Sequence, residues 1–174
     1  MVPRPGLTDS AGGLLVSWTP GDGDMDMYAV SLSTTDGVII ETRHVHKHIS
    51  SLNFLDLTPG QAYTITIQSL SGKLTNSNTA TGRTAPARVT ALQADNDHTT
   101  HSLTVSWERP VGVYDGYNLQ LLDEAGVLLA NRSVSVESRS ERLEGLTSGK
   151  WYRVKVATLS GGVPSLDATA EGQT

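Results

Sequence analysis

Three histidines alternate in His44-Val45-His46-Lys47-His48. In an extended strand that spacing turns all three imidazoles to one face, where a zinc or nickel ion would look for nitrogen ligands. Same-face neighbours along a strand stand about 7 Å apart, however, which is a wide bite for one ion. No carboxylate nearby in the chain would orient the rings, so the three are read as the soluble face of an edge strand. Asp22-Gly23-Asp24-Met25-Asp26 opens like a calcium loop. Its sixth position is Met27, where glycine is needed, and its twelfth is Ser33, where a bidentate glutamate is needed. It reads as an acidic, solvated loop between two strands. No metal and no cofactor is expected.

Covalent chemistry fares no better. The chain has no cysteine, which excludes disulfides, thiolate zinc sites and cysteine nucleophiles together. Its serines have no partnered histidine in a recognisable context, and there is no glycine-rich phosphate loop. An Arg-Gly-Asp integrin motif is missing from the late loops expected at Ser71–Asn78 and Ser160–Ser165. The chain is therefore not expected to be an enzyme. A formal net charge of −5, from 13 basic and 18 acidic residues, argues against nucleic acid as a partner. No apolar run approaches the roughly 20 residues of a membrane-spanning helix, so no membrane insertion is expected. One modification site stands out: Asn131-Arg132-Ser133 is the only Asn-x-Ser/Thr sequon, and in a secreted protein it would carry a glycan.

The elements that must position these residues emerge from an internal repeat. Leu14–Pro20 (LLVSWTP) returns at Leu103–Pro110 (LTVSWERP), with Trp18 and Trp107 spaced by 89. Tyr28 and Tyr117 keep the same spacing, as do the segments LTPGQAYTITIQSLSG from Leu57 and LTSGKWYRVKVATLSG from Leu146. The tails TATGRT (Thr79–Thr84) and TAEGQT (Thr169–Thr174) lie 90 apart, so one residue is expected to be inserted in a late loop. A period near 90 suits a self-contained domain better than a solenoid unit. Within each repeat, apolar residues alternate: Leu14, Val16, Trp18; Tyr28, Val30, Leu32; Tyr63, Ile65, Ile67; and their partners 89 further on. That period of two marks antiparallel sheets with one buried face, and turn residues punctuate the runs at Pro20–Gly23, Asp36-Gly37, Pro59-Gly60, Gly126 and Gly161-Gly162. The predicted fold is all-β: two tandem β-sandwiches of about seven strands each, residues 1–85 and 86–174.

The strand-B indoles Trp18 and Trp107, a strand-C tyrosine, and Leu-x5-Tyr (Leu57 to Tyr63, Leu146 to Tyr152) together resemble fibronectin type III modules over nearly the whole chain. Leu-x5-Tyr matches that family's tyrosine corner, in which the phenol bonds nearby backbone while the ring packs inward. The texture of LxPGxxY, the GRTAP junction and DGYNLQLLDEAG is similar to the ectodomain repeats of receptor-type protein tyrosine phosphatases of the vascular-endothelial and osteotesticular kind. That resemblance implies non-catalytic extracellular modules of a single-pass plasma-membrane receptor. They would act as monomeric spacers that bind cell-surface or extracellular proteins in adhesion or signalling. Phosphatase activity itself would need a cysteine nucleophile, which this chain lacks. Two other settings of the same fold are an intracellular muscle-type array and an accessory carbohydrate-binding module of a secreted bacterial enzyme.

In the first repeat Met1 aligns with Thr90, so the counterpart of Pro86–Val89 is missing there, and Pro3 and Pro5 remove ladder donors. Strand A of the first module is expected to be weak, short, frayed or displaced. The Ala85-Pro86 junction leaves almost no free linker, which predicts a semi-rigid pair.

If Tyr152, Val154 and Val156 face inward, Trp151, Arg153 and Lys155 must face outward. The first repeat has Ala62, Thr64 and Thr66 at those positions, so the stripe is private to the second. An exposed indole beside two cations would suit a protein partner or an acidic glycan such as heparan sulfate. The plainer reading is a tryptophan capped by the Arg153 guanidinium over a wet face. Trp18, Trp107, Tyr63 and Tyr152 are read as structural core, where Trp→Ala costs roughly 3–5 kcal/mol. Tyr63→Phe and Tyr152→Phe are each expected to lower stability by about 1 kcal/mol, one hydrogen bond's net worth; unchanged thermal midpoints in both would remove the tyrosine corner.

Overall fold

A computed structural model describes residues 5–10, 13–19, 27–71 and 74–174. The acidic loop at Asp22–Asp26, the turn at Pro20–Gly23 and Pro3 lie outside the described residues. The chain divides into two compact units, Met1–Ala85 and Pro86–Thr174.

In the first unit, β1 (Gly6–Ser10), β2 (Gly13–Ser17) and β5 (Ser51–Phe54) form one sheet in the order β1-β2-β5. The facing sheet runs β4-β3-β6-β7, from β3 (Met27–Thr34), β4 (Ile39–His46), β6 (Ala62–Ser71) and β7 (Leu74–Arg83). The second unit repeats this plan. One sheet holds β8 (Thr90–Asp95), β9 (Leu103–Glu108) and β12 (Ser140–Leu143) in the order β12-β9-β8. The other places β11 (Leu128–Ser135) beside β10 (Gly116–Leu122), then β13 (Trp151–Ser160). Against β13 lie two short pieces, β14 (Val163–Pro164) and β15 (Ala168–Gln173). The ladders between these strands are antiparallel.

The alternating apolar residues close each sandwich. Val16, Tyr28, Val30, Leu32, Ile65 and Ile67 are fully buried in the first, and Leu103, Val105, Leu119, Val154 and Val156 in the second. At each centre an indole meets a tyrosine edge-on: Trp18 and Tyr28 at 6.0 Å, Trp107 and Tyr117 at 5.3 Å. That geometry sets the positive ring edge against a negative ring face. Burial also raises the Tyr117 phenol above its ordinary pKa. The Thr58 N–H donates to the Tyr63 phenol oxygen at 3.0 Å, and the Thr147 N–H to that of Tyr152 at 2.9 Å.

The threonines that end the two tails close the same turns. Thr84 Oγ1 donates to the Thr58 carbonyl at 2.7 Å, and Thr174 Oγ1 donates to the Thr147 carbonyl at 2.6 Å. Each hydroxyl also accepts from a backbone N–H, Gln61 in one module and Lys150 in the other. The last residue of each repeat thus satisfies turn groups that would otherwise lack partners.

Two expectations need correcting. The extra residue of the second repeat is not in a loop. Ser160 pairs with Val163 just as Ser71 pairs with Leu74, so the two connections are equally short. The insertion is a bulge in the final strand: Leu159 faces Pro164 but Val156 faces Ala168, which pushes Leu166 and Asp167 outward. The late loop expected over Ser71–Asn78 is accordingly mostly strand β7. Strand A of the first module, expected to be short, frayed or displaced, begins at Gly6, past Pro5, and pairs with β2 along its length. Leu7 opposes Val16 as Ala94 opposes Val105, an offset of 87. The strand is displaced because the A–B connection is two residues shorter than in the second module.

The first strand crosses the last at a glycine in both modules. A Cβ on Gly82 would meet Leu7 Cδ1 at 2.6 Å and Leu7 Cβ at 3.1 Å, and rotating the side chain relieves only the first. On Gly172 it would meet both the Ala94 carbonyl oxygen and the Ala94 Cβ at 3.0 Å, where backbone must move. Gly82→Ala and Gly172→Ala are each expected to cost about 1–3 kcal/mol in denaturant unfolding, as overpacking does. An unchanged unfolding free energy in either variant would show that its crossing has room for a methyl group.

Candidate functional site

Strand β13 has the phase expected of it. Tyr152, Val154 and Val156 are buried, Trp151 and Arg153 are exposed, and Lys155 is half-buried. Directly opposed residues of neighbouring strands share a face, so the register defines the outer surface of this sheet in rows. Leu128, Leu122, Arg153 and Glu171 form one row. Asn131, Gln120, Lys155 and Thr169 form the next. Trp151 stands one step beyond the first row, opposite Gln173. In the first module the corresponding face is a ladder of hydroxyls, where Ser31 bonds Thr42 at 3.1 Å and Thr66 bonds Thr79 at 3.4 Å.

Trp151 is 49% exposed, whereas Trp18 and Trp107 are buried at 6% and 4%. A groove of about 300 Å³ beside it is lined by Asp123, Glu124, Gly126, Tyr152, Arg153 and Glu171. Glu124 Oε1 accepts the Trp151 backbone N–H at 3.1 Å, and Asp123 Oδ1 accepts those of Ala125 and Val127 at 2.9 Å. The Arg153 guanidinium is held by Glu171, at 2.7 and 3.2 Å. It therefore turns along its own row, rather than capping the indole. Three carboxylates and one guanidinium line the groove, so its formal charge is negative. The sequence reading missed Asp123, Glu124 and Glu171. The alternation of the TAEGQT tail was enough to turn Glu171 outward, but the two hairpin acids carry no such signal.

Asn131 and Ser133 are exposed on β11, an edge strand, and turn to the outer face. Their neighbour Arg132 reaches the other sheet, donating to Glu141 Oε1 at 3.1 Å. The histidines separate. His44 and His46 belong to β4, but the strand ends there and His48 lies in the following turn. The His48 N–H points back to His46 Nδ1 at 3.4 Å, and the two rings lie 4.9 Å apart. All three share no strand face, and among the described residues no cluster suited to a metal ion occurs. A larger depression of about 360 Å³ is lined by His98–Ser102, Arg142, Glu144 and Gly145, where His101 Nδ1 lies 3.1 Å from the Leu146 carbonyl.

A model of the fibronectin type III domain matches residues 7–83 and 85–171. The chain belongs to that family. Its modules are 30% identical over 167 residues to Tenascin-N of Mus musculus, an alignment covering 92% of this chain and 10% of the relative. Tenascin-N of Homo sapiens is 26% identical over 172 residues, covering 97% and 13%. The chain thus spans about a tenth of the length of these curated relatives. A two-domain fibronectin type III segment from chicken tenascin shares the fold, with a TM-score of 0.68 at 21% identity over 99% of each chain. These relatives are tenascins rather than receptor phosphatases, so the narrower phosphatase assignment gains nothing from them.

The three tryptophans of these modules offer a direct check of the site. Iodide in solution is expected to quench the emission of Trp151 and to leave that of Trp18 and Trp107 nearly untouched. Trp151→Phe should therefore abolish most of the quenchable signal, and retention of that signal would mean that a core indole is open to solvent.

Proposed function

We propose that this chain is a pair of non-catalytic extracellular modules, parting at Ala85–Pro86, that space a larger protein and bind protein partners. The outer face of the second module around Trp151, Arg153 and Lys155 is the docking surface. The observation that carries this reading is the half-exposed indole on a sheet face whose counterpart in the sister module is a plain hydroxyl ladder. Burying an aromatic ring of that size against a partner supplies hot-spot energy. Tenascins are extracellular matrix proteins, which favours an extracellular setting over an intracellular array. The receptor-phosphatase ectodomain remains the reading suggested by DGYNLQLLDEAG, and it would use the same face in the same way.

The double variant Trp151→Ala, Arg153→Ala is expected to weaken binding of the two-module protein to cell surfaces and deposited matrix by about 30-fold or more, the loss of one hot spot of roughly 2 kcal/mol. Its unfolding free energy should stay within about 0.5 kcal/mol of the parent, as exposed substitutions do. Unaltered binding would exclude this face.

A further inference from the structure

We propose that an N-linked glycan on Asn131 is laid across the Trp151–Arg153–Lys155 face, so that glycosylation decides whether this surface is covered or open. The docking role of the face rests on the function proposed above; the covering itself rests on strand register. Asn131 opposes Gln120 on β10, and Gln120 opposes Lys155 on β13. The three side chains therefore stand in one row on one face, with Asn131 and Lys155 two strand spacings apart, about 10 Å. Trp151 lies four residues further along β13, about 17 Å from Asn131 by the same strand dimensions. The first few sugar rings of a glycan bridge the shorter distance, and its branches reach the longer.

The direction in which the glycan leaves is set by its neighbour. Arg132 fills the open side of the sandwich, bonding Glu141 and the Arg142 carbonyl on the opposite sheet. The amide of Asn131 points the other way, over the outer face, with Ser133 beside it. Between Asn131 and the indole lie Leu122 and the half-exposed Leu128, apolar surface that the sugar rings would shield from water. The counterpart of Asn131 in the first module is Thr42, which lies in no sequon, so the sequon and the stripe are private to the same face of the same module.

The modification balances without oxidant or reductant. Asn131 Nδ2 forms a bond to C1 of the first sugar of a lipid-pyrophosphate-linked oligosaccharide. The C1–O bond breaks, the lipid pyrophosphate leaves, and one amide proton is lost. The transferase needs an extended, unpaired sequon, and β11 offers one before it joins the sheet edge.

The test is to secrete the chain from mammalian cells alongside Asn131→Gln and Ser133→Ala, which remove the sequon from either end. Intact mass reads occupancy. The rate at which an amine-reactive ester modifies Lys155, read by peptide mass spectrometry, reports covering, with Lys47 of the first module as internal reference. Lys155 should react several-fold more slowly in the glycosylated protein than in either variant, with Lys47 unchanged, and iodide quenching of Trp151 should fall in parallel. An unoccupied Asn131, or equal Lys155 rates with and without the glycan, would overturn the proposal. Failure of the docking role is read separately: Trp151→Ala in the Asn131→Gln background would then leave cell-surface binding unchanged, while Lys155 protection would stand.

Discussion

One hydrogen bond decides which way strand β13 faces. The Thr147 N–H can reach the phenol of Tyr152 only if that ring points inward, and a strand has only two phases. With Tyr152 fixed, Val154 and Val156 follow it into the core, while Trp151, Arg153 and Lys155 have nowhere to go but out. A slip of one residue would bury two cations and an indole N–H while exposing two valines, a penalty no sandwich of this size could carry. The same corner at Tyr63 in the first module sends three small side chains, Ala62, Thr64 and Thr66, outward instead. Core architecture and surface chemistry are thus two faces of one constraint, and along this strand the outward residues carry the contrast between the modules.

The sequence disclosed the parts of the structure that depend on periodicity. The 89-residue repeat, the alternation in each strand and the Leu-x5-Tyr spacing fixed the fold class, both core indoles, both corners and the outward stripe. What it concealed depends on partners. A tail offset of 90 reveals an extra residue, yet only the pairing of Leu159 with Pro164 and Val156 with Ala168 shows it to be a bulge. Aligning Met1 with Thr90 assumes equal A–B connections, and the pairing of Leu7 with Val16 shows that they differ. The alternation of three histidines says nothing about where a strand stops, which here is His46. The acidity around Trp151 was hidden for the same reason, because Glu124 and Glu171 reach the indole's neighbourhood from other strands and turns.

Both modules expose an apolar triplet at the start of an edge strand, Val38-Ile39-Ile40 in one and Val127-Leu128-Leu129 in the other. Such edges invite pairing with other chains. Each carries a register shift at the same place, between Leu32 and Ser33 on one neighbouring strand and between Leu121 and Leu122 on the other. The ladder is thereby interrupted beside the greasiest residues, a device that keeps an edge from templating further strands.

The tip of the β13–β14 hairpin in the second module is Gly161-Gly162, both with positive φ. A tip built of two glycines has no side chain to insert into another molecule's cleft, and its two-residue length leaves no reach. This hairpin cannot act as a finger. On the docking role proposed for the outer sheet face, the counterpart would lie against the module's flank rather than receive this tip.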